Sequence, residues 1–274
     1  MKFQGNPCWY ELSTAKGQLA AAGVFYAKVL GWQVKDSGMQ GMTYHLASVG
    51  GGMVAGLMEV PDDVAGMPPA WLIYFAADDL DRTIADAQAT GATVYHPATA
   101  VPGTGRFAVL GDPQGAAFGL LEPDMRHMSE ADRAEAETSG AFDQSKAGHG
   151  NWNELMSTDP AAAFDFYAGL FGWTKGEAMQ MDDCPEGGEA PGGTYQMIQH
   201  KGADIGAIMG LGDSQVPVWL PYFGVDQPVS DIVETIRQAG GQVHIGPVEV
   251  PGPAYIAVGQ DPQGAWFAVV GTTQ

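Results

Sequence analysis

Apolar and polar residues alternate along the chain in two distinct rhythms. The stretch "CWYELST" (8–14) alternates as a half-buried strand does, whereas "GQLAAAGVFYAKVLG" (17–31) carries apolar residues at helical spacing. That second stretch ends at Gly31, a natural residue for a helix C-cap. The segments "WQVKD", "MTYHLAS" and "MVAGLME" then predict three strands. The pattern therefore predicts a β-α-β-β-β unit.

The same order of elements recurs further along the chain. A strand "AWLIYFAAD" precedes a helix "DLDRTIADAQATG", and the segments "ATVYH", "GRFAVLGD" and "AAFGLLE" predict three more strands. All of this recurs again: "WYELST" matches "WNELMST", and "FYAKVLGW" matches "FYAGLFGW". Further along, "AWLIYFAADDL" matches "VWLPYFGVDQP", and "VPGTGRFAVLGDPQGA" matches "VPGPAYIAVGQDPQGA". Four matched motifs in one order indicate a tandem duplication with a period too long for a solenoid.

The predicted fold class is α+β, with two similar domains that each pair two β-α-β-β-β units. We expect domain one at 5–123 and domain two at 148–272, joined by a linker at 124–147. The middle of that linker, "SEADRAEAE", is expected to form a short helix. The sequence Asp-Pro-Gln-Gly occurs once in each domain and is predicted to turn the chain between the last two strands.

Composition excludes several classes of function. The chain has 274 residues, 45% of them hydrophobic, and a net charge of −20 from 12 Lys and Arg against 32 Asp and Glu. Such a surface repels phosphate backbones and anionic membranes, so we expect no nucleic-acid or membrane partner. No apolar run approaches a membrane helix or a secretory signal, which favours a cytoplasmic protein. Cys8 and Cys184 form no zinc or redox motif, and we expect free thiols.

The paired helix motifs and the two Asp-Pro-Gln-Gly turns resemble the vicinal oxygen chelate superfamily. That group includes glyoxalase I, extradiol dioxygenases, methylmalonyl-CoA epimerase, and proteins of fosfomycin and bleomycin resistance. The resemblance covers both domains and implies that two β-α-β-β-β units form a curved sheet around a cavity in each. It is more specific for fold than for chemistry.

Members that use a metal take His, Gln or Glu ligands from the first and last strands of each half-unit. The resemblance carries eight such positions onto this chain, and none offers a donor to a divalent ion. These positions are Trp9, Leu72, Trp152 and Leu220 on first strands, and Gly56, Gly119, Ala207 and Ala268 on last strands. We therefore expect no metal and no cofactor.

Strand alternation predicts which side chains share a cavity with these positions. If Trp9 faces the cavity then Glu11 does too, and the same holds for Trp152 and Glu154. The strands that begin the second half-units place Leu72 with Tyr74 and Leu220 with Tyr222.

The two carboxylates are the candidate catalytic groups. A carboxylate in an apolar cavity has a raised pKa and can act as a base or bind a hydroxyl or a cation. The alternative for Glu11 and Glu154 is structural, with each accepting backbone or tyrosine hydrogen bonds. For Trp9 and Trp152 the alternative is core packing.

Other side chains carry weaker signals. The six histidines show no ligand spacing, Arg106 is matched by Tyr255 in domain two, and the acidic stretch 182–189 lacks the spacing of a calcium loop. No phosphate loop, dinucleotide glycine pattern or serine nucleophile elbow is present.

Three functions remain open from the sequence. The first is a metal-free protein that binds a small organic molecule in one or both aromatic-lined cavities. The second is a lyase, isomerase or hydroxylase-like enzyme that uses Glu11 or Glu154 as a base. The third is a structural or interaction protein with filled cavities. The sequence leaves the oligomeric state undetermined.

Overall fold

The computed structural model describes residues 3–39, 41–60, 66–124, 140–180, 193–212 and 214–274. Two eight-stranded curved sheets form its framework. The first half of the chain contributes β1 (Pro7–Thr14), α1 (Leu19–Leu30), β2 (Gln33–Asp36), β3 (Tyr44–Val49), β4 (Gly52–Glu59), β5 (Ala70–Ala76), α2 (Leu80–Ala89), β6 (Thr93–Val101), β7 (Gly105–Gly111) and β8 (Ala117–Pro123).

The second half repeats this order of elements. It contributes β9 (Gly150–Ser157), α3 (Pro160–Phe171), β10 (Thr174–Gln180), β11 (Thr194–His200), β12 (Ala203–Gly210), β13 (Val218–Gly224), α4 (Val229–Gln238), β14 (Gln242–Val250), β15 (Ala254–Gln260) and β16 (Trp266–Gly271). The predicted fold class, two domains of paired β-α-β-β-β units, is confirmed. The predicted linker helix lies outside the described residues.

Strand order is the same in both sheets. The first runs β2-β3-β4-β1-β5-β8-β7-β6 and the second β10-β11-β12-β9-β13-β16-β15-β14. The opening strands of the two half-units therefore lie side by side at the centre of each sheet, as antiparallel pairs β1 with β5 and β9 with β13. That arrangement brings the predicted site residues of each domain onto adjacent central strands.

Local sequence explains where the helices begin and end. Asp79 and Asp159 cap α2 and α3 by accepting backbone N–H bonds from Arg82 and Ala162. Helix α1 ends at Gly31, which adopts the left-handed conformation with φ of 70°, as predicted. No helix in the described residues is long and apolar enough to cross a membrane.

One hydrophobic core is shared by both halves of the chain. The ring of Tyr10 in β1 meets that of Phe223 in β13 at 5.4 Å, and Phe75 in β5 meets Trp219 at 5.3 Å. These residues are almost fully buried. We call the face of each sheet that enters this shared core the inner face, and the opposite face the open face.

Hydrogen bonds cross between the halves in matched pairs. The Tyr26 hydroxyl on α1 donates to Asp261 Oδ2 at 3.1 Å, and the Tyr167 hydroxyl on α3 donates to Asp112 Oδ2 at 3.1 Å. Asp112 and Asp261 open the two Asp-Pro-Gln-Gly turns, which lie between the last two strands of each sheet as predicted.

The indoles at the helix ends make a second matched pair. Trp32 Nε1 donates to the Gly148 carbonyl at 2.7 Å, and Trp173 Nε1 donates to the Gly5 carbonyl at 3.0 Å. Residues 140–147, placed in the predicted linker, also join the second half, because Ala141 is buried and Gln144 exchanges two hydrogen bonds with Asn151. The predicted domain limits at 5–123 and 148–272 stay predictions.

Candidate functional site

The open face of the first sheet carries the predicted site residues of domain one. Tyr10 and Leu12 enter the core, so alternation along β1 turns Trp9 and Glu11 to the open face. In the register of β1 with β5, Trp9 lies opposite Tyr74 and Glu11 lies opposite Leu72. The four residues thus form one contiguous patch.

A hydrogen-bond network holds the carboxylate of this patch. Tyr44 on β3 accepts from Trp9 Nε1 at 3.1 Å and donates to Glu11 Oε2 at 2.9 Å. Tyr74 donates to Glu11 Oε1 at 2.9 Å. Each carboxylate oxygen of Glu11 therefore has one tyrosine donor.

The second sheet repeats this network with one change. Tyr195 on β11 accepts from Trp152 Nε1 at 2.8 Å and donates to Glu154 Oε2 at 2.9 Å. Tyr222 donates to the same oxygen, Glu154 Oε2, at 3.3 Å. Leu220 lies opposite Glu154 in the register of β9 with β13, as Leu72 does with Glu11.

Burial sets the ionisation of these groups. Burial raises the pKa of Glu11 above its ordinary value, and the hydrogen bonds from Tyr44 and Tyr74 oppose that rise. Burial likewise raises the pKa of Glu154 against the hydrogen bonds from Tyr195 and Tyr222. Each open face thus presents a carboxyl group that is a stronger base than a solvated glutamate.

Apolar side chains surround each carboxylate. On the second sheet Leu220, Tyr222, Val258 and Ala268 form a buried cluster, with Trp152 packed against it. On the first sheet, the ring of Phe107 lies 6.3 Å from that of Tyr74, and the His96 ring stacks on Phe107 at 5.1 Å. Such surfaces suit an organic ligand with apolar rings.

The residues at the eight carried-over ligand positions do not fit a divalent metal. Glycine, alanine and leucine have no side-chain atom that can bind a metal ion. The indole N–H of tryptophan only donates hydrogen bonds, so it cannot act as a metal ligand either. A β-carbon at Gly56 would overlap the Tyr44 ring and one at Gly119 would overlap the Tyr74 ring, so tyrosines fill the space of a ligand side chain. No group of three His, Cys, Asp or Glu that could hold a metal occurs among the described residues.

The remaining candidates that the structure describes make no hydrogen bond to either network. Arg106 binds Asp81 at 2.7 Å and Glu122 at 3.3 Å on the side of the first sheet. His149 and His200 are buried. His244 packs against Trp266 with ring centroids 4.5 Å apart. The acidic stretch 182–189 and His127 lie outside the described residues.

Two surface clefts also lie away from the carboxylates. One of about 420 Å³ is bordered by α1 and the Pro262 turn, and one of about 720 Å³ lies beside Arg106 and Glu122. Neither is lined by a residue of the two tyrosine–glutamate networks.

Sequence reasoning missed Tyr44 and Tyr195, which are central to the two networks. Each lies in a Thr-Tyr pair, "MTYH" and "GTYQ", at matching places on the third strand of its domain. Aligning the two halves strand by strand would have found this pair.

Comparison with known proteins supports the fold and the family. Residues 13–120 match the model of the Glyoxalase/Bleomycin resistance protein/Dioxygenase superfamily. CFP32 of Mycobacterium tuberculosis (strain CDC 1551 / Oshkosh), named provisionally as a glyoxylase, is 32% identical over 97% of this chain and 95% of its own. The anthracycline biosynthesis protein DnrV of Streptomyces peucetius is 29% identical over 97% of this chain and 93% of its own.

Solved structures resemble the fold at low sequence identity. Homoprotocatechuate 2,3-dioxygenase of Brevibacterium fuscum, solved with 3,4-dihydroxyphenylacetate, has a TM-score of 0.67 at 18% identity, covering 100% of this chain and 82% of that one. The Mn(II)-bound glyoxalase of Novosphingobium aromaticivorans has a TM-score of 0.61 at 15% identity, covering 99% and 84%. Identities this low compare architecture and leave chemistry open.

Proposed function

The chain belongs to the glyoxalase/bleomycin resistance protein/dioxygenase superfamily, and from that premise we propose that it binds a small organic molecule on the open face of its sheets without a metal ion. The observation that carries this proposal is the Trp–Tyr–Glu–Tyr network present on both sheets. The carboxylate orients a polar group of the ligand, and the aromatic and aliphatic side chains around it contact the apolar part.

Two comparisons support the class of ligand. A full-length relative is named for anthracycline biosynthesis, and a structural neighbour was solved with 3,4-dihydroxyphenylacetate. Both names involve organic molecules with aromatic rings. An aromatic ligand also suits the side chains around Glu11 and Glu154.

A screen for thermal stabilisation after dialysis against a chelator tests this function. We expect at least one uncharged aromatic compound to raise the melting temperature, because a ligand at a hundredfold its Kd adds about 2.7 kcal/mol of stability. We also expect elemental analysis to find no stoichiometric transition metal. A protein that holds about one such ion per domain, or that binds ligands only after metal is restored, would overturn the metal-free proposal.

General-base catalysis is a second candidate, favoured by the raised pKa of Glu154. A carboxylate that accepts a proton from a bound substrate would serve a lyase, an isomerase or a hydroxylase-like enzyme. If a bound compound is converted, Glu154→Gln is expected to abolish turnover even at ligand concentrations high enough to saturate the variant. Turnover that survives this substitution excludes Glu154 as the base.

A further inference from the structure

The two carboxylates differ in how many of their oxygens are free. In the first sheet one tyrosine donates to each oxygen of Glu11. In the second sheet both tyrosines donate to Glu154 Oε2, and Oε1 has no hydrogen-bond partner among the described residues. Glu154 is also the more buried of the two, with 9% of its surface exposed. Oε1 is not one of the buried polar atoms left without a partner, so it remains accessible, and a ligand donor can pair with it.

An exposed tryptophan marks the same face of the second sheet. Trp266 is 46% exposed, while its neighbour Phe267 is buried in the shared core, so alternation along β16 turns Trp266 to the open face. The matching residue on β8 of the first sheet is Ala117. The Trp266 ring packs on His244 of β14 with centroids 4.5 Å apart, and its exposed part leaves an aromatic surface that a ligand can contact.

Strand register places Trp266 at the level of Glu154. Glu154 lies opposite Leu220 in β13, and the pairing of β13 with β16 begins at Tyr222 opposite Ala268. Leu220 and Trp266 each lie two residues before that first pair, so continuing the parallel register sets Trp266 at the level of Glu154. Adjacent paired strands are about 4.8 Å apart, so two strand spacings across β13 put Glu154 and Trp266 at least about 10 Å apart. This span suits a molecule of two or three fused rings.

The charge around Glu154 indicates whether the ligand is neutral or anionic. The strands β9 and β11 to β16 contain no lysine or arginine, and the chain has a net charge of −20. An anionic ligand would meet a carboxylate with no cation on these strands to compensate it. A neutral ligand with an O–H or N–H group pairs with Oε1 at no such cost.

We propose that the open face of the second sheet is the ligand site, and that it takes an uncharged planar molecule that donates one hydrogen bond to Glu154 Oε1 and lies against Trp266. The first sheet then holds Glu11 as a saturated, structural counterpart. This inference rests on the proposed function and assigns it to one of the two sheets.

The substitution Glu154→Gln tests whether Oε1 accepts a hydrogen bond from the ligand. Tyr195 and Tyr222 both donate to one position, so they retain the amide oxygen there and leave the amide NH2 at the position of Oε1. The site then presents a donor where it presented an acceptor. The affinity for ligands with a hydroxyl donor should therefore fall, and the affinity for ligands with only a carbonyl acceptor should not.

Calorimetric titration with three naphthalenes tests this exchange of an acceptor for a donor. The probes are 2-naphthol as donor, 2-acetylnaphthalene as acceptor and 2-naphthoate as anion. We expect 2-naphthol to bind best, at one molecule per chain. Glu154→Gln should weaken 2-naphthol roughly tenfold or more without weakening 2-acetylnaphthalene. Trp266→Ala should weaken 2-naphthol several-fold.

Two comparison variants separate the possible failures. Glu234→Gln removes one exposed helix charge and is expected to leave every affinity unchanged, while far-UV circular dichroism checks the fold of each variant. If Glu11→Gln weakens 2-naphthol as much as Glu154→Gln, or two molecules bind per chain, the assignment to the second sheet is wrong but the proposed function stands. If no naphthalene binds, the inference is overturned; the proposed function is overturned only if the wider thermal screen also yields no ligand.

Discussion

A glutamate on each open face is stabilised by phenol hydroxyls rather than by a positive charge. Transferring an ionised carboxylate from water into an apolar setting is expensive unless donors replace the lost hydration. Two tyrosines provide those donors to Glu11 and two to Glu154, and an indole N–H orients the tyrosine from the third strand. The tyrosines also lose acidity, since burial and the adjacent carboxylate raise the pKa of Tyr74 and of Tyr222.

Stability should therefore depend on pH in a direction opposite to that of an ion-paired carboxylate. Because burial raises the pKa of Glu154 above its ordinary 4.5, the folded chain retains a proton that the unfolded chain has released, and stability falls as pH rises through this range. We expect the free energy of unfolding in urea to decline as pH rises above 4.5, and Glu154→Gln to reduce that decline. Glu234→Gln, a charge change on an exposed helix, controls for net charge. Equal pH slopes in the wild type and Glu154→Gln would contradict the raised pKa.

Which of these residues the sequence predicts depends on how far strand alternation extends. Alternation along β1 and β5 suffices to place Trp9, Glu11 and Tyr74 on one face, and the structure places them there. Tyr44 reaches Glu11 from β3, which is separated from β1 by β4. Its position depends on a pairing that shifts register between Ala47 and Ser48, and an irregular register is not encoded in alternation.

At the scale of elements, the Asp-Pro-Gln-Gly turns do more than reverse the chain. Asp261 accepts the N–H groups of Gln263 and Ala265 with Oδ1, and the hydroxyl of Tyr26 from the other half with Oδ2. Local turn preferences predict the first role, because it depends on neighbours in sequence. The hydrogen bond from Tyr26 depends on how α1 packs against the other half, so no local sequence pattern predicts it.

These crossing contacts predict the cost of removing one hydroxyl. Tyr167 donates to Asp112 and accepts from Trp219 Nε1 at 3.0 Å, so Tyr167→Phe leaves a buried carboxylate oxygen and a buried indole N–H without this partner. We expect a loss of about 1–3 kcal/mol in urea unfolding, with Tyr26→Phe costing a similar amount. Tyr95→Phe, at a site 55% exposed, is the matched control. A Tyr167→Phe cost no larger than that of the control would show that the crossing bonds contribute little.

At the scale of the whole molecule, two similar domains are combined into one core. The sequence reveals the duplication because motifs recur in the same order. Periodicity predicts which face of each element is buried, but it does not predict which other element packs against that face. In the structure Phe75 of β5 packs against Trp173 at 5.1 Å and Trp219 at 5.3 Å, both from the second half. Each sheet thus completes the inner face of the other.

A shared core predicts that the two halves unfold together. Phe75 has no exposed surface, and Phe75→Ala removes a ring that touches both halves, at a cost of about 3–5 kcal/mol. Because the lost contacts belong to one cooperative unit, we expect a single transition in urea, with far-UV circular dichroism and tryptophan fluorescence coinciding before and after the substitution. Hydrogen exchange should show amides of β9 and β13 losing as much protection as those of β1 and β5.

Met53→Ala, at an exposed position of β4, should leave both sheets unaffected. Two separate transitions, or loss of protection confined to the first sheet, would mean that the halves are independent domains in contact, and that the crossing tyrosines and indoles join them without coupling their stability.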